Sequence, residues 1–190
     1  MRRLVLFMHV SLDGFVTDPN GGMSFIKVND EIFDYAGDRT QVADMALYGR
    51  VTYEMMDAYW PSAPDKPNAS KHDIEHGTWY NKVDKVVLSK SMKGQQKPNT
   101  IIISEEVEHR IKALKQQAGS EIIIFGSPSA AHSLMQYGLI DEFWLFVNPV
   151  LVGGGGIPLF NNTQQAAELK LVKSKSFTNG VVCLHYEKAN

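Results

Sequence analysis

Two short runs in this chain have no polar face. Residues 4–10 (Leu4, Val5, Leu6, Phe7, Met8, His9, Val10) and 143–147 (Phe143, Trp144, Leu145, Phe146, Val147) are apolar almost throughout instead of alternating. That is the pattern of strands covered on both faces, as in a sheet packed between layers. The rest of the chain has to supply the cover.

The remaining segments do so by alternating strand and helix. Residues 46–48, 83–88, 100–103 and 121–125 read as further strands. Asn29 caps a helix over 30–36 that stops at Gly37, and a second helix over 51–58 ends before Trp60 and Pro61. The proline-bearing stretch 62–68 reads as a loop, and a short helix covers 71–76. Ser104 caps a helix in which Val107, Ile111 and Leu114 share one face until Gly119. Ser127 and Pro128 start another, with Ala131, Leu134 and Met135 as its inner face before Gly138. Residues 169–177 and 181–186 flank Asn179 and Gly180, the favoured two-residue hairpin pair. Eight strands and about four helices predict one α/β domain over residues 1–190, its sheet mostly parallel with an antiparallel C-terminal hairpin.

Composition narrows the class. With 44% hydrophobic and 21% charged residues, a chain of 190 residues can bury a core without staples, and the single Cys183 cannot form an internal bridge. A net charge of −2 and the lack of a basic face argue against nucleic acid. No apolar stretch is long enough to span a membrane, so a cytoplasmic protein is expected.

Chemistry concentrates at strand ends. In Leu47-Tyr48-Gly49-Arg50-Val51-Thr52-Tyr53 a strand becomes a helix at a glycine followed by an arginine. A helix start leaves N–H groups and the positive end of the dipole facing outward, and Arg50 adds a planar cation suited to phosphate. A turn with a solvated arginine is the alternative. Three further strand ends finish in small polar residues: Leu88 in Ser89, Lys90 and Ser91; Phe125 in Gly126, Ser127, Pro128 and Ser129; and residues 150–152, read as strand, in Gly153, Gly154, Gly155 and Gly156. Ligands in open α/β sheets bind outside the carboxyl ends of strands, so these loops predict one crevice. Each also has a structural reading, as a turn cap, a helix cap or a surface loop. The glycine run lacks the helix and acidic residue of a dinucleotide fingerprint. Asp13-Gly14 reads as a turn. His72 and His76 have the spacing of a metal pair on a helix, but with no third ligand in sight a solvated helix face is the favoured reading. No nucleophile elbow is present.

Taken together, Ser11-Leu12-Asp13-Gly14, the run from Leu47 to Glu54, Val87-Leu88-Ser89-Lys90, Ile124-Phe125-Gly126-Ser127, Leu139-Ile140-Asp141-Glu142-Phe143 and Pro149-Val150-Leu151-Val152-Gly153-Gly154-Gly155 resemble the dihydrofolate reductase-like superfamily. Within it they are most similar to the C-terminal reductase domain of the bifunctional riboflavin-biosynthesis deaminase/reductase and its stand-alone bacterial relatives. The resemblance spans residues 4–186 and implies a three-layer α/β/α fold with NADPH held across the sheet.

By that resemblance Gly49, Arg50 and Thr52 meet the pyrophosphate and adenosine side, and Leu88, Ser89 and Lys90 the ribose 2′-phosphate. Gly126, Ser127, Pro128 and Ser129 meet the nicotinamide half. Ser11 and Leu12 lie along the nicotinamide, with Gly153, Gly154 and Gly155 closing from the other side. Asp30 is the implied catalytic acid, with Glu31, Phe15 and Phe25 at the substrate. Phe15 stands where the riboflavin-pathway reductase typically has a lysine, which suits a flat or apolar substrate. The implied activity is hydride transfer from NADPH to a small planar heterocycle or a ribosylaminopyrimidine. A non-catalytic nucleotide-binding module that kept the fold is the alternative. The continuous apolar run at 143–147, buried by helices or by another subunit, and the resemblance together predict a homodimer.

Overall fold

A computed structural model of the protein describes residues 1–161 and 167–189. In chain order the elements are β1 (Arg3–Ser11), α1 (Asp30–Thr40), β2 (Met45–Gly49), α2 (Arg50–Tyr59), a 3₁₀ helix (Trp60–Asp65), α3 (Lys71–Lys82), β3 (Asp84–Leu88), β4 (Thr100–Ile103), α4 (Val107–Gln116), β5 (Glu121–Phe125), α5 (Pro128–Gln136), β6 (Glu142–Asn148), β7 (Leu169–Ser176) and β8 (Val182–Lys188). The eight strands form one sheet in the order β4-β3-β2-β5-β1-β6-β8-β7. From β4 to β6 every neighbour is parallel, while β8 runs antiparallel to both β6 and β7. The expected α/β sheet with an antiparallel end is therefore what the chain builds.

The doubly apolar strands explain the layering. Leu4 and Leu6 of β1 point to one side, where they share a core with Ile122 and Ile124 of β5, Ile111 and Leu114 of α4, and Ala131 and Leu134 of α5. Phe7 points to the other, into a core with Ile123, Phe125, Phe146, Ile32 of α1, Tyr53 of α2 and Tyr80 of α3. Alternation along each strand sends successive side chains into opposite cores, so both faces must be apolar. Phe146 of β6 packs against Tyr35 and Phe177 of the same chain. The run at 143–147 therefore finds its cover within one chain and does not by itself call for a second copy.

Ion pairs gather at the amino ends of the strands. Arg2 pairs with Asp44 at 2.9 Å, Arg3 with Glu142 at 2.8 Å, and Lys115 at the end of α4 with Asp141 at 2.7 Å. Buried Arg39 pairs with Glu121 at the start of β5. The Leu4 N–H donates to Asp141 Oδ2 at 2.7 Å, which ties the start of β1 into the same rim.

Several local expectations are corrected. Among the described residues there are five α-helices plus the 3₁₀ turn, because 71–82 is a full three-turn helix and 60–65 is wound and not an open loop. The Ser70/Asp73 capping box starts α3, and its inner face carries Tyr80. Helix α1 runs through Gly37 to Thr40, since burial of Arg39 and Thr40 outweighs the modest helical cost of one glycine. Ser104 caps nothing; α4 begins after Glu106, which is left-handed and gives no side-chain cap. Residues 150–152 form no strand. The hairpin loop has three residues, not two: Phe177 N–H donates to Val181 O, Gly180 N–H to Phe177 O, and Gly180 takes φ +86°. That is the type I turn plus left-handed glycine of three-residue loops.

Candidate functional site

One strand stops before both of its neighbours at the carboxyl end of the sheet. β5 pairs with β1 only as far as Phe7↔Phe125 and with β2 only as far as Leu47↔Ile124, yet β1 continues beside β6 to Ser11↔Asn148 and β2 beside β3 to Gly49↔Leu88. Beyond the end of β5 the sheet has a notch, walled by residues 8–11 on one side and 48–49 on the other. Its floor is the turn at Gly126 and Ser127, whose φ values of +55° and +62° swing the chain into α5. A left-handed serine is uncommon and points to a demand from its surroundings.

The demand is a contact with β2. Ser127 does not cap its own helix; its Oγ accepts the Gly49 N–H at 2.6 Å. A Cβ on Gly49 would lie 2.8 Å from Ser127 Oγ and 3.0 Å from Ser129 Oγ. The glycine is thus required by the close approach of α5, and its amide is already engaged. Beside it α2 starts at Arg50, again without a side-chain cap. Two uncapped helix starts lie next to each other, and their outward N–H groups and dipoles favour an anion there. Arg50 forms an exposed pair with Glu54 at 2.7 Å, and the Thr52 methyl lies 3.9 Å from where a Cβ on Gly126 would be.

A cleft of about 210 Å³ lies between α5 and the ends of β3 and β4, toward the sheet edge, and Gly49, Arg50 and Ser127 are not among its lining residues. Leu88, Ser89 and Lys90 line it from the end of β3, Ile103 and Ser104 from the end of β4, and Ser129 and Ser133 from α5. Ser89 Oγ also accepts the Met92 N–H at 3.2 Å, so the turn-cap reading of Ser89 holds alongside its place in the cleft. The sequence reading missed Ser104 and Ser133. Ser133 lies one helical turn beyond Ser129, a spacing that puts both on one face.

On the other side, the loop after β6 is strapped to the loop after β1. Asp13 accepts the Val152 N–H at 3.1 Å and the Gly153 N–H at 2.9 Å, while the Ser11 hydroxyl donates to it at 2.6 Å. The Ser11 hydroxyl, then the Gly153 and Val152 amides, pull the Asp13 carboxyl down to a pKa of about 2. Asp13-Gly14 is a turn, as read, but the carboxylate is also the anchor of the glycine run. Gly153, Gly154 and Gly155 all have φ between +80° and +94°, which explains three glycines in succession. Phe15 bridges to Pro158 in the same strap, and Leu12 is exposed beside it.

The residues expected at the substrate do not converge equally. Asp30 is exposed in the first turn of α1. Glu31 accepts the Thr178 N–H at 3.1 Å and hydroxyl at 3.2 Å and lies 3.5 Å from Lys175. The Thr178 amide, with that hydroxyl and Lys175 behind it, holds its carboxyl below the usual range. Glu31 therefore fastens α1 to the β7–β8 hairpin. Phe25, half-buried, precedes Lys27, whose N–H donates to Asn148 Oδ1 at 2.8 Å. Asn148, fully buried at the end of β6, and the half-buried His9 on β1 are polar groups at this end that the sequence reading did not place in the site.

His72 and His76 do not form the solvated face expected of them. His72 stacks on Phe33 at 4.0 Å, and buried His76 packs among Trp60, Trp79 and Phe125. Burial lowers the His76 pKa to about 3. Among the described residues no group of three His, Cys, Asp or Glu could hold a metal, and no helix is long and apolar enough to cross a membrane.

Residues 2–183 match the RibD C-terminal domain. The chain is 30% identical over 187 residues to the Bacillus subtilis protein YyaP, covering 97% of this chain and 94% of that one. It is 32% identical over 193 residues to YwjB of the same organism, covering 99% of each. Among solved structures, a putative riboflavin biosynthesis protein from Shewanella sp. PV-4 superposes with a TM-score of 0.73 at 20% identity over 99% of both chains. A pyrimidine reductase-like protein from Corynebacterium diphtheriae gives 0.67 at 15% identity, covering 100% of this chain and 92% of that one. With its notched eight-stranded sheet and a match over nearly its whole length, this chain belongs to the RibD C-terminal domain family and has the dihydrofolate reductase-like fold.

Proposed function

We propose that the protein is an NADPH-dependent reductase of a small planar heterocycle. The observation that carries the reading is the junction of two uncapped helix starts at Gly49 and Ser127, with the cleft of Ser89, Lys90, Ser104, Ser129 and Ser133 beside it. That donor set fits a ligand with several phosphates. Amides and hydroxyls would take the pyrophosphate, Lys90 and Arg50 would supply charge for a 2′-phosphate, and the apolar Leu88 and Ile103 would flank an adenine. The Arg50–Glu54 pair is exposed and weak enough to yield to a phosphate.

The notch beyond β5 suits the nicotinamide, since it is the place where the sheet itself makes room for a flat ring. NADPH would supply the hydride there; the chain's part is to align two rings, exclude water and deliver a proton. Ser11 and the Asp13-anchored glycine run would border the nicotinamide on the β1 side. Of the two acids in the first turn of α1, Glu31 is bound into the hairpin, so Asp30 is the proposed proton carrier, directly or through water. Fluorescence titration with NADPH and NADH tests the reading: NADPH binds more tightly, and Arg50→Ala weakens it. No affinity for either nucleotide would refute it.

The engagement of Glu31 with Thr178 favours a second reading, in which the fold binds nucleotide without turnover. NADPH oxidation in the presence of pterins or ribosylaminopyrimidines separates the two. A homodimer is proposed on the resemblance alone, and light scattering that gives the mass of one chain would refute it.

A further inference from the structure

The strand that borders the notch carries a side chain to which the cofactor reading assigns nothing. His9 lies on β1 two residues past the last pairing with β5, and its ring stacks on Phe146 at 4.9 Å and 25° on the sheet face covered by α1. Asn148 biases its tautomer. The Lys27 N–H donates to Asn148 Oδ1, and Nδ2 donates to the Val10 and Phe146 carbonyls at 3.1 Å each, so the buried amide can take only one orientation. That orientation turns the NH₂ group toward His9 Nδ1 at 3.5 Å. Both of its hydrogens go to the two carbonyls, so a hydrogen on Nδ1 would meet no acceptor there, and the arrangement favours Nδ1 as the lone-pair nitrogen with the proton on Nε2. Burial keeps the ring neutral by lowering its pKa to about 4, with no charged neighbour contributing. Among the described residues Nε2 has no hydrogen-bond partner, while Glu31, an acid of the facing helix, is engaged with Thr178 and Lys175.

We propose that His9 contacts the substrate, its Nε2–H donating a hydrogen bond to a carbonyl oxygen or unprotonated ring nitrogen of a planar heterocycle on the α1 side of the notch. The inference rests on the reductase reading of the same site and deepens it by naming the edge that is recognised. With the tautomer held, Nε2 presents only a donor, so a substrate edge presenting N–H at that point meets donor against donor and is rejected. Asn148 acts as a positioning residue, holding the tautomer through a network that begins at the Lys27 backbone. The recognised class is therefore an acceptor-bearing ring, such as a pterin or a uracil, oriented with a C=O or bare ring nitrogen toward β1.

The test uses the full chain with ¹⁵N-labelled histidine. NMR of the free protein is expected to show His9 as the Nε2–H tautomer at pH 7. Dihydrofolate and an unphosphorylated ribosylaminouracil are then titrated with and without NADPH, and at least one is expected to shift the His9 Nε2 signal. His9→Phe keeps the stack on Phe146 and is expected to bind NADPH as wild type does but the responding probe about tenfold more weakly. His9→Gln, which restores a donor, is expected to recover most of that loss. An Nδ1–H tautomer, a His9 signal that neither probe moves, or equal probe binding by His9→Phe would overturn the role of His9. Loss of NADPH binding in the wild type would instead overturn the cofactor reading, and the probe titration without NADPH still decides the one for His9.

Discussion

Replacing Gly49 by alanine perturbs the junction on which both helix starts depend. The backbone there has φ −82° and ψ 165°, which alanine adopts freely, so the penalty is steric and not conformational. The new methyl would sit 2.8 Å from Ser127 Oγ and 3.0 Å from Ser129 Oγ, both inside van der Waals contact, and α5 must shift to admit it. Overpacking of this kind costs about 1–3 kcal/mol. The stiffer unfolded chain returns about 0.4–1 kcal/mol. A net loss of about 1–2 kcal/mol is expected, or roughly 2–8 °C in the melting temperature of a domain this size. Ser127→Ala alone strands the Gly49 N–H and costs a similar amount. In the double variant the nearest obstacle is gone and the stranded amide is counted once, so the two losses add to less than their sum by about 1 kcal/mol. Calorimetry of the four proteins measures the cycle, and an NADPH titration of each follows the helix starts. A Gly49→Ala protein that melts with wild type, or strictly additive losses, would refute the argument that α5 dictates the glycine.

Three further outcomes are expected. Lys90→Ala weakens NADPH about tenfold and leaves NADH binding unchanged, because only the 2′-phosphate calls for the extra cation; equal losses for both nucleotides would place Lys90 elsewhere. Asp13 has a folded pKa depressed to about 2, so what it contributes is present above the ordinary carboxylate value and is lost as pH falls through about 2. Protection of the Val152 and Gly153 amides, taken relative to the intrinsic exchange rate at each pH, should stay high at neutral pH, fall only in that acid window, and be low at all pH values in Asp13→Ala. Buried His76, with its pKa lowered to about 3, contributes stability that is full above about 6.5 and declines as pH falls toward 3. Urea unfolding at a series of pH values should show a shallower acid decline in His76→Phe than in wild type, and identical slopes would refute the assignment.

The sequence made the layers legible because doubly apolar strands admit few arrangements: residues 4–10 and 143–147 could only be central, and the glycine and serine stops marked the carboxyl ends. Local punctuation misled where tertiary contacts overrode it. Gly37 did not stop α1, since Arg39 beyond it had Glu121 to reach, and Ser104 and Ser127 looked like caps but serve the cleft and β2. His72 and His76 carry a spacing that metal pairs and packed helix faces share, and only burial among Trp60, Trp79 and Phe125 distinguishes them. The notch was invisible because it is a difference in pairing length between strands far apart in sequence. Asn148 and His9 were passed over for the same reason: 139 residues separate two side chains 3.5 Å apart.

The separation of charge and glycine along the strands has an evolutionary consequence. Arg2–Asp44, Arg3–Glu142, Arg39–Glu121 and Lys115–Asp141 fasten one end of the sheet, and the exchangeable loops lie at the other. Selection acting on what the loops recognise leaves the fastened end untouched, so lineages can retune substrate preference without renegotiating foldability. Divergence within such a family should accumulate around Phe15, Phe25 and Asp30 faster than around the charged rim. Sequence drift of this kind lets one scaffold supply several chemistries, each needing only a different lining for the same notch.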